Sequence, residues 1–443
     1  MTGLITLNRI KLVLGAVFLF FLSYILRINF AIPVFLLSLF AYLGFSQKHP
    51  YIKDYKLLDL SLLFTLIFVT VYFIVSHGRP LFYIPFCAIP MLAVILFNEL
   101  RLSLLLTVAA SFAAAAAAGN NFYLGVMFMV SGLLSGILVF GARKRSVIIR
   151  SGLIIGIIQA LMLFFAEGMR AYHPDRYFAL VANGVISSVI VVGVLPVFEY
   201  LFRTVTNISL LELADFNQPL LQRMTMEAPG TYHHSLIVGN LSDAACQAVG
   251  CNALLARIGA YYHDIGKLAK PEYFSENLCI DLKASKHDSL PPALSKLVIM
   301  NHVKEGLDLA KKYKLNPRIV DFIEQHHGNS LVFYFYRRAL ESLEGDQEVS
   351  EEGFRYPGPK PRTKEAAIVL LADSVEAASR TLKEPTSANI KELVHKVINN
   401  KFIDGQLDEC DLTLNDLEKI SAVFTRILSG IYHSRVIYPE GPR

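Results

Sequence analysis

The first two hundred residues of this 443-residue chain are too apolar to be buried anywhere but in lipid. They run through Leu, Ile, Val, Phe and Ala with few charges inside each run. A helix needs about 20 mostly apolar residues to cross a bilayer, and in lipid only helices and closed barrels satisfy their own backbone. Eight such stretches are readable: 11–27, 29–45, 57–76, 80–98, 101–118, 122–142, 147–167 and 178–199. The first two are short and almost continuous, so seven spans with one poorly placed segment is the other count. More spans follow the first at once, without a small-residue cleavage site, so the opening stretch reads as an anchor and not as a removed signal peptide.

Basic residues orient this bundle. With eight spans, Arg9 and Lys11, then Lys48, Lys53 and Lys56, then Arg143, Lys144 and Arg145 fall on one side. The opposite loops carry only Arg27, Arg79, Arg170 and Arg176. The positive-inside rule then places both termini, and everything after residue 200, in the cytoplasm. No charged residue lies deep in a span, which argues against an ion or proton pathway. The alanine run Ala113 to Ala118 and the pair Gly132 and Gly136 suit close helix packing.

Beyond residue 200 the composition changes. Nine of the twelve histidines and most of the charges lie there. Apolar residues recur at helical spacing, as in His234, Val238, Leu241 and Ala245, or in Ala366, Val369, Leu370, Asp373 and Ala377. Ala228-Pro229-Gly230 reads as a turn with Thr231 capping the next helix. The aromatic patch Val332–Tyr336 is ambiguous between helix and strand. The fold class expected is all-α: a polytopic bundle over 1–200, a juxtamembrane helix and connector over 201–230, and a helical cytosolic domain over 231–443. Five scattered cysteines without CxxC pairs read as reduced thiols. The net charge of +5 calls for no nucleic-acid polymer as partner.

The second half contains His234, the adjacent pair His263-Asp264, His302, the adjacent pair His326-His327, and Asp373. This is the order of a two-metal hydrolase site. His233 stands beside the first histidine and leaves that position ambiguous. Imidazole nitrogen and carboxylate oxygen together suit iron, manganese or zinc. Asp264 can offer one oxygen to each of two ions while His263 holds one of them. Two ions at about 3.5–4 Å can clamp a phosphate and share an activated water. A single inward histidine is usually a hydrogen-bonded core residue, and Arg380 is an alternative partner for Asp373. Convergence of several helices and a histidine pair on one chemistry favours the metal. Phe333, Tyr334, Phe335 and Tyr336 follow the histidine pair; Tyr334 and Tyr336 are candidates for stacking on a base.

The block Tyr262-His263-Asp264-Ile265-Gly266-Lys267 resembles the signature of HD-domain phosphohydrolases. The strings APGTYHHSL (228–236), YYHDIGK (261–267), QHHG (325–328), RYPGPKP (355–361) and LADSVEAASR (371–380) resemble one branch of them. That branch is the bacterial seven-transmembrane-receptor HD hydrolases, membrane-anchored phosphodiesterases of cyclic di-AMP. The resemblance implies two divalent cations, manganese or iron, and His234 as the ligand in preference to His233. One ion would take His234, His263, Asp264 and Asp373; the other would take Asp264, His302, His326 and His327. His233 would support a ligand from behind. Asp264 would carry catalysis by bridging, and Lys267 would meet a phosphate oxygen. The implied reaction cuts cyclic di-AMP to pApA for second-messenger signalling at the bacterial cell membrane. The implied partners are the cyclic dinucleotide and the bilayer, with a homodimer left open.

Two departures stand out. Only Arg27-Ile28-Asn29 separates the first two spans, where the family commonly carries a large extracellular region. Leu278 stands where the family string usually ends in Glu-Asn-Gln. Two other readings compete. The branch that cuts cyclic di-GMP carries Gly-Tyr-Pro soon after its histidine pair, whereas Gly328-Asn329-Ser330 stands here. A non-catalytic nucleotide-binding receptor would keep the domain without turnover.

Overall fold

A computed structural model describes residues 57–98, 100–167, 174–202, 204–278, 286–342 and 349–432. The spans expected at 11–27 and 29–45 lie outside the described residues. The chain divides into two compact units, Met1–Ser209 and Leu210–Arg443.

The first unit contains α1 (Leu57–Ser76), α2 (Ala88–Phe97), α3 (Leu100–Ala117), α4 (Phe122–Val139), α5 (Arg145–Glu167) and α6 (Pro174–Phe202). Among the described residues α4, α5 and α6 are each long and apolar enough to cross a membrane; Leu81–Phe97 and Leu106–Ala117 are shorter apolar stretches. The span expected at 80–98 is not one helix. A 3-10 turn over Leu81–Tyr83 precedes α2. Pro80 and Pro85 lack the N–H groups that a continuous helix would use there. The backbone freed by this break is met from α6: the Asn183 amide donates to the carbonyls of Phe82 and of Ile84, the latter at 2.9 Å. Irregular backbone at membrane depth needs such a partner.

Small residues let these helices approach closely. A Cβ on Gly184 of α6 would run into the Gly152 carbonyl and the Gly156 backbone of α5. Gly132 of α4 sits against Thr107 and Phe86, and Ala109, Ala110, Ala113 and Ala114 of α3 are buried. The outward face is apolar instead: Phe165 is 79% exposed and Phe178 76%. An apolar outer surface of this kind suits lipid and not water.

After α7 (Asn207–Leu213), the second unit holds α8 (Pro219–Glu227), α9 (Pro229–Val249), α10 (Ala253–Tyr262), α11 (Pro292–Lys312), α12 (Pro317–Gln325) and α13 (Phe333–Glu341). It closes with α14 (Lys364–Ser379), α15 (Ser387–Ile403) and α16 (Leu414–Tyr432). Among the described residues there is no strand, only an isolated bridge between Leu331 and Arg355. The ambiguous aromatic patch is therefore helix α13; Phe335 and Ala339, four apart, are its buried residues.

The core of this unit forms around α14, which is buried from Ala366 through Asp373. Val238, Leu241 and Ala245 of α9 reach it, as do Ala256 and Ala260 of α10 and Ile420, Phe424 and Leu428 of α16. Their three- and four-residue spacing is what a helix facing a core requires. The start of α9 differs from expectation. Pro229 occupies the first helical turn, where its missing N–H costs nothing. Thr231 is not the cap; its own N–H donates to Asn277 Oδ1 at 3.0 Å. Gly230 is needed because a Cβ there would strike the Glu276 carbonyl.

Gly184→Val should therefore separate α5 from α6, at a cost of about 1–3 kcal/mol for overpacking. The full-length protein in detergent should unfold at lower temperature and elute as aggregate. Ile186→Val on the exposed face of α6 should change neither. Equal melting curves for the two variants would contradict this packing.

Candidate metal centre

Six elements deliver the side chains. His234 lies on α9, His302 on α11 and Asp373 on α14. His263 ends α10 and Asp264 opens the 3-10 turn Ile265–Ala269. His326 ends α12, and His327 follows it. All are buried except His327, whose side chain is 22% exposed and marks the open side. His233, one residue from His234, points outward and is exposed.

The seven residues meet in two groups. Ligand atoms of His234, His263, Asp264 and Asp373 lie within 4.8 Å of one another, and so do those of His302, His326 and His327. Asp264 stands between them. Its Oδ2 is 3.2 Å from His263 Nε2 and 3.6 Å from His234 Nε2. Its Oδ1 is 3.4 Å from His302 Nε2 and 3.6 Å from His326 Nε2. One carboxylate thus offers one oxygen to each group. Asp373 adds Oδ1 at 3.0 Å from His234 Nε2 and Oδ2 at 3.6 Å from His327 Nδ1.

The chemistry of the nitrogens decides what these groups can hold. A carbonyl can only accept, so a ring nitrogen against a carbonyl must carry the proton. His263 Nδ1 donates to Ala260 O at 2.6 Å, His302 Nδ1 to Ile299 O at 2.5 Å, and His326 Nδ1 to Ile323 O at 3.0 Å. His234 Nδ1 faces Glu376 Oε2 at 2.5 Å. With Nδ1 so committed, Nε2 is the nitrogen that each of these four rings can offer inward to a cation. His302 Nε2 and His326 Nε2 lie 3.2 Å apart with no proton left to share. His263 Nε2 and Asp264 Oδ1 are buried without a hydrogen-bond partner. Such groups are costly to bury unless a cation meets them. The donor set therefore fits divalent metal.

The electrostatics agree. Burial opposes charge on His263, but Asp264 and Asp373 outweigh it and raise the imidazole to about 10. Burial likewise opposes ionised Asp264; His263 and Lys267 overcome it and hold the carboxyl well below the usual range. In the other group burial, with His326 beside it, brings His302 down to about 4. One group thus keeps a proton where a metal would sit, while His302 is a neutral imidazole. Lys267 acts as a further stand-in cation: its Nζ lies 2.8 Å from Asp264 Oδ2 and 2.7 Å from Glu276 Oε1, over the ring of Phe274.

Three residues that sequence reasoning passed over belong to this site. Glu376 orients His234, and it also holds Arg380 at 2.6 Å. The partner suggested for Asp373 thus belongs to Glu376, and the support expected from His233 comes from Glu376 as well. Its position three after Asp373 on one helix face was the available signal. Glu276 anchors Lys267. Tyr356 stacks on His327 with ring centres 4.3 Å apart. By contrast, Tyr334 is exposed and Tyr336 packs on Phe354; the ring contacts of both are with residues other than the site histidines. Leu278 is half-buried beside Asn277.

Two outcomes follow. His263 is raised from 6.5 to about 10, so its contribution to metal-free stability is full below 6.5 and is lost as pH rises through about 10. Chelator-treated protein should lose stability across that window. Metal uptake at neutral pH should release at least one proton, measured by calorimetry in buffers of different ionisation enthalpy. Glu376→Ala should weaken metal affinity about 10–100-fold, as loss of a group orienting a ligand histidine does. Unchanged affinity in that variant would deny Glu376 this role.

Comparison with known proteins gives a consistent setting. Residues 22–206 match the family described as 7TM receptor with intracellular HD hydrolase, and residues 231–378 match the HD domain. The chain is 39% identical over 430 residues to the cyclic-di-AMP phosphodiesterase PgpH of Bacillus subtilis, covering 93% of this chain and 60% of that protein. It is 37% identical over 392 residues to PgpH of Listeria monocytogenes, covering 87% and 53%. The chain thus spans 60% or less of the length of these curated relatives. The crystal structure of the L. monocytogenes PgpH HD domain is 45% identical over 49% of this chain and 100% of that one, with a TM-score of 0.46.

Proposed function

Because this membrane protein belongs to the 7TM receptors with an intracellular HD hydrolase domain, we propose that it is a metal-dependent phosphodiesterase that cuts cyclic di-AMP to pApA. In this reading residues 1–200 are the membrane anchor, 201–230 the connector and 231–443 the cytoplasmic hydrolase. The PgpH relatives are named cyclic-di-AMP phosphodiesterases. The observation that carries the proposal is Asp264, one oxygen toward each of two clusters of inward imidazole nitrogens.

His234, His263, Asp264 and Asp373 would hold one divalent cation, and Asp264, His302, His326 and His327 the other. Mixed nitrogen and oxygen donors suit manganese or iron. Such ions, when bound, supply Lewis-acid polarisation of a phosphodiester and a nucleophile at neutral pH. The remaining work belongs to the chain. Backbone carbonyls hold His263, His302 and His326 by Nδ1, and Glu376 holds His234 the same way, so that Nε2 faces the centre. Burial keeps bulk water from six of the seven residues. Lys267, the cation beside the bridging carboxylate, suits a phosphate oxygen once Asp264 is otherwise engaged. All seven residues come from one chain, so the site needs no second copy.

Full-length protein loaded with manganese or iron should be assayed in parallel against cyclic di-AMP, cyclic di-GMP and nucleoside triphosphates. Cyclic di-AMP should be cut fastest, with pApA as product, and Asp264→Ala should fall to the level of the metal-free control. Stoichiometric binding without pApA would make the domain a receptor instead. Faster cleavage of cyclic di-GMP would reassign the substrate.

A further inference from the structure

Cations near the candidate centre are mostly committed to carboxylates. Lys267 lies between Asp264 and Glu276, and Arg380 is on Glu376. Arg355 is shared between Glu351 and Asp404, and Lys360 is on Asp408. Lys401 of α15 differs. Its Nζ donates to one neutral group, Ser330 Oγ at 2.7 Å, and among the described residues no carboxylate lies within ion-pair distance. Asp404, three residues on, is occupied by Arg355 at 2.7 Å and Gln406 at 2.7 Å. An ammonium has three N–H donors, and the protein meets one of them. Lys401 is half-buried; a cation partly removed from water without a counter-charge is stabilised by an anion that reaches its other donors. Burial lowers the pKa of Lys401, and the negative charge that acts most strongly against this is Asp373 of the metal site.

The backbone ties Lys401 to the same place. Ser330 is buried and stands three residues after His327. Its carbonyl accepts the Tyr356 N–H at 3.0 Å, and the Tyr356 ring lies on His327. The lysine therefore sits one hydroxyl away from the loop that carries two candidate ligands.

A cyclic dinucleotide has two phosphodiesters, and a metal pair can neutralise only the one being cut. We propose that Lys401, with Ser330, seats the second, uncut phosphate of a two-phosphate substrate. This rests on the cyclic dinucleotide reading given above. Binding energy from the part of a substrate that does not react is what orients the part that does.

The test uses full-length Lys401→Met and Lys401→Arg against two substrates. Cyclic di-AMP has two phosphates; bis(para-nitrophenyl) phosphate has one. Lys401→Met should raise KM for cyclic di-AMP about tenfold, the loss of one charge-assisted hydrogen bond. Its kcat/KM on the aryl diester and its metal content should match wild type. Lys401→Arg, which keeps the charge, should recover most of the loss on cyclic di-AMP. Equal loss on both substrates, or none on either, would overturn the assignment of Lys401 while wild-type cleavage of cyclic di-AMP stands. Wild-type protein that cuts the aryl diester but neither cyclic dinucleotide would sink the substrate reading, and this assignment with it.

Discussion

Three imidazole protons spent on main-chain carbonyls are the constraint from which the candidate centre follows. His263, His302 and His326 each donate Nδ1 to the carbonyl three residues earlier. For His263 and His326 this happens at a helix end, where carbonyls lack an intrahelical partner. The helix terminus thus gains an acceptor's partner and the ring gains an orientation in one contact. The tautomer is set by the fold before any ion arrives. What remains is a set of lone pairs and carboxylate oxygens that repel one another unless positive charge lies between them.

The chain's own charges offset part of that repulsion. A proton on His263 and the ammonium of Lys267 neutralise Asp264. Asp373 and Glu376 would be costly passengers on a helix buried on all sides. His234 joins them and donates at both ends, Nδ1 to Glu376 and Nε2 to Asp373. The core and the site are therefore one construction, with α14 as its shared wall.

Much of this was legible from residue order alone. Apolar runs marked α1 and α3 to α6, because length and hydrophobicity suffice in lipid. His234 and Asp373 were readable because each shares a stripe with core residues, as His234 does with Val238 and Leu241; His263, His326 and His327 stood out only as adjacent pairs. What was not legible depended on partners distant in sequence. Asn277 reaches Thr231 from 46 residues away and replaces a local cap. Glu376 looked like one more charge on a helix until its neighbour was known to be His234. Pro80 and Pro85 broke an apolar run that composition alone would join. Val332–Tyr336 became helical because burial four residues apart, at Phe335 and Ala339, outweighed the strand preference of aromatic residues.

Gly266 follows the His263-Asp264 pair by two residues, and a Cβ there would collide with the His302 carbonyl and lie 2.5 Å from the Gly306 N. Main chain therefore rests on main chain between the turn bearing the shared carboxylate and the helix bearing the opposite imidazole. The gauge between the two halves is a backbone dimension, about as incompressible as anything in a protein. Side chains around it can drift over evolutionary time and retune affinity or selectivity, while that spacing stays where the glycine holds it.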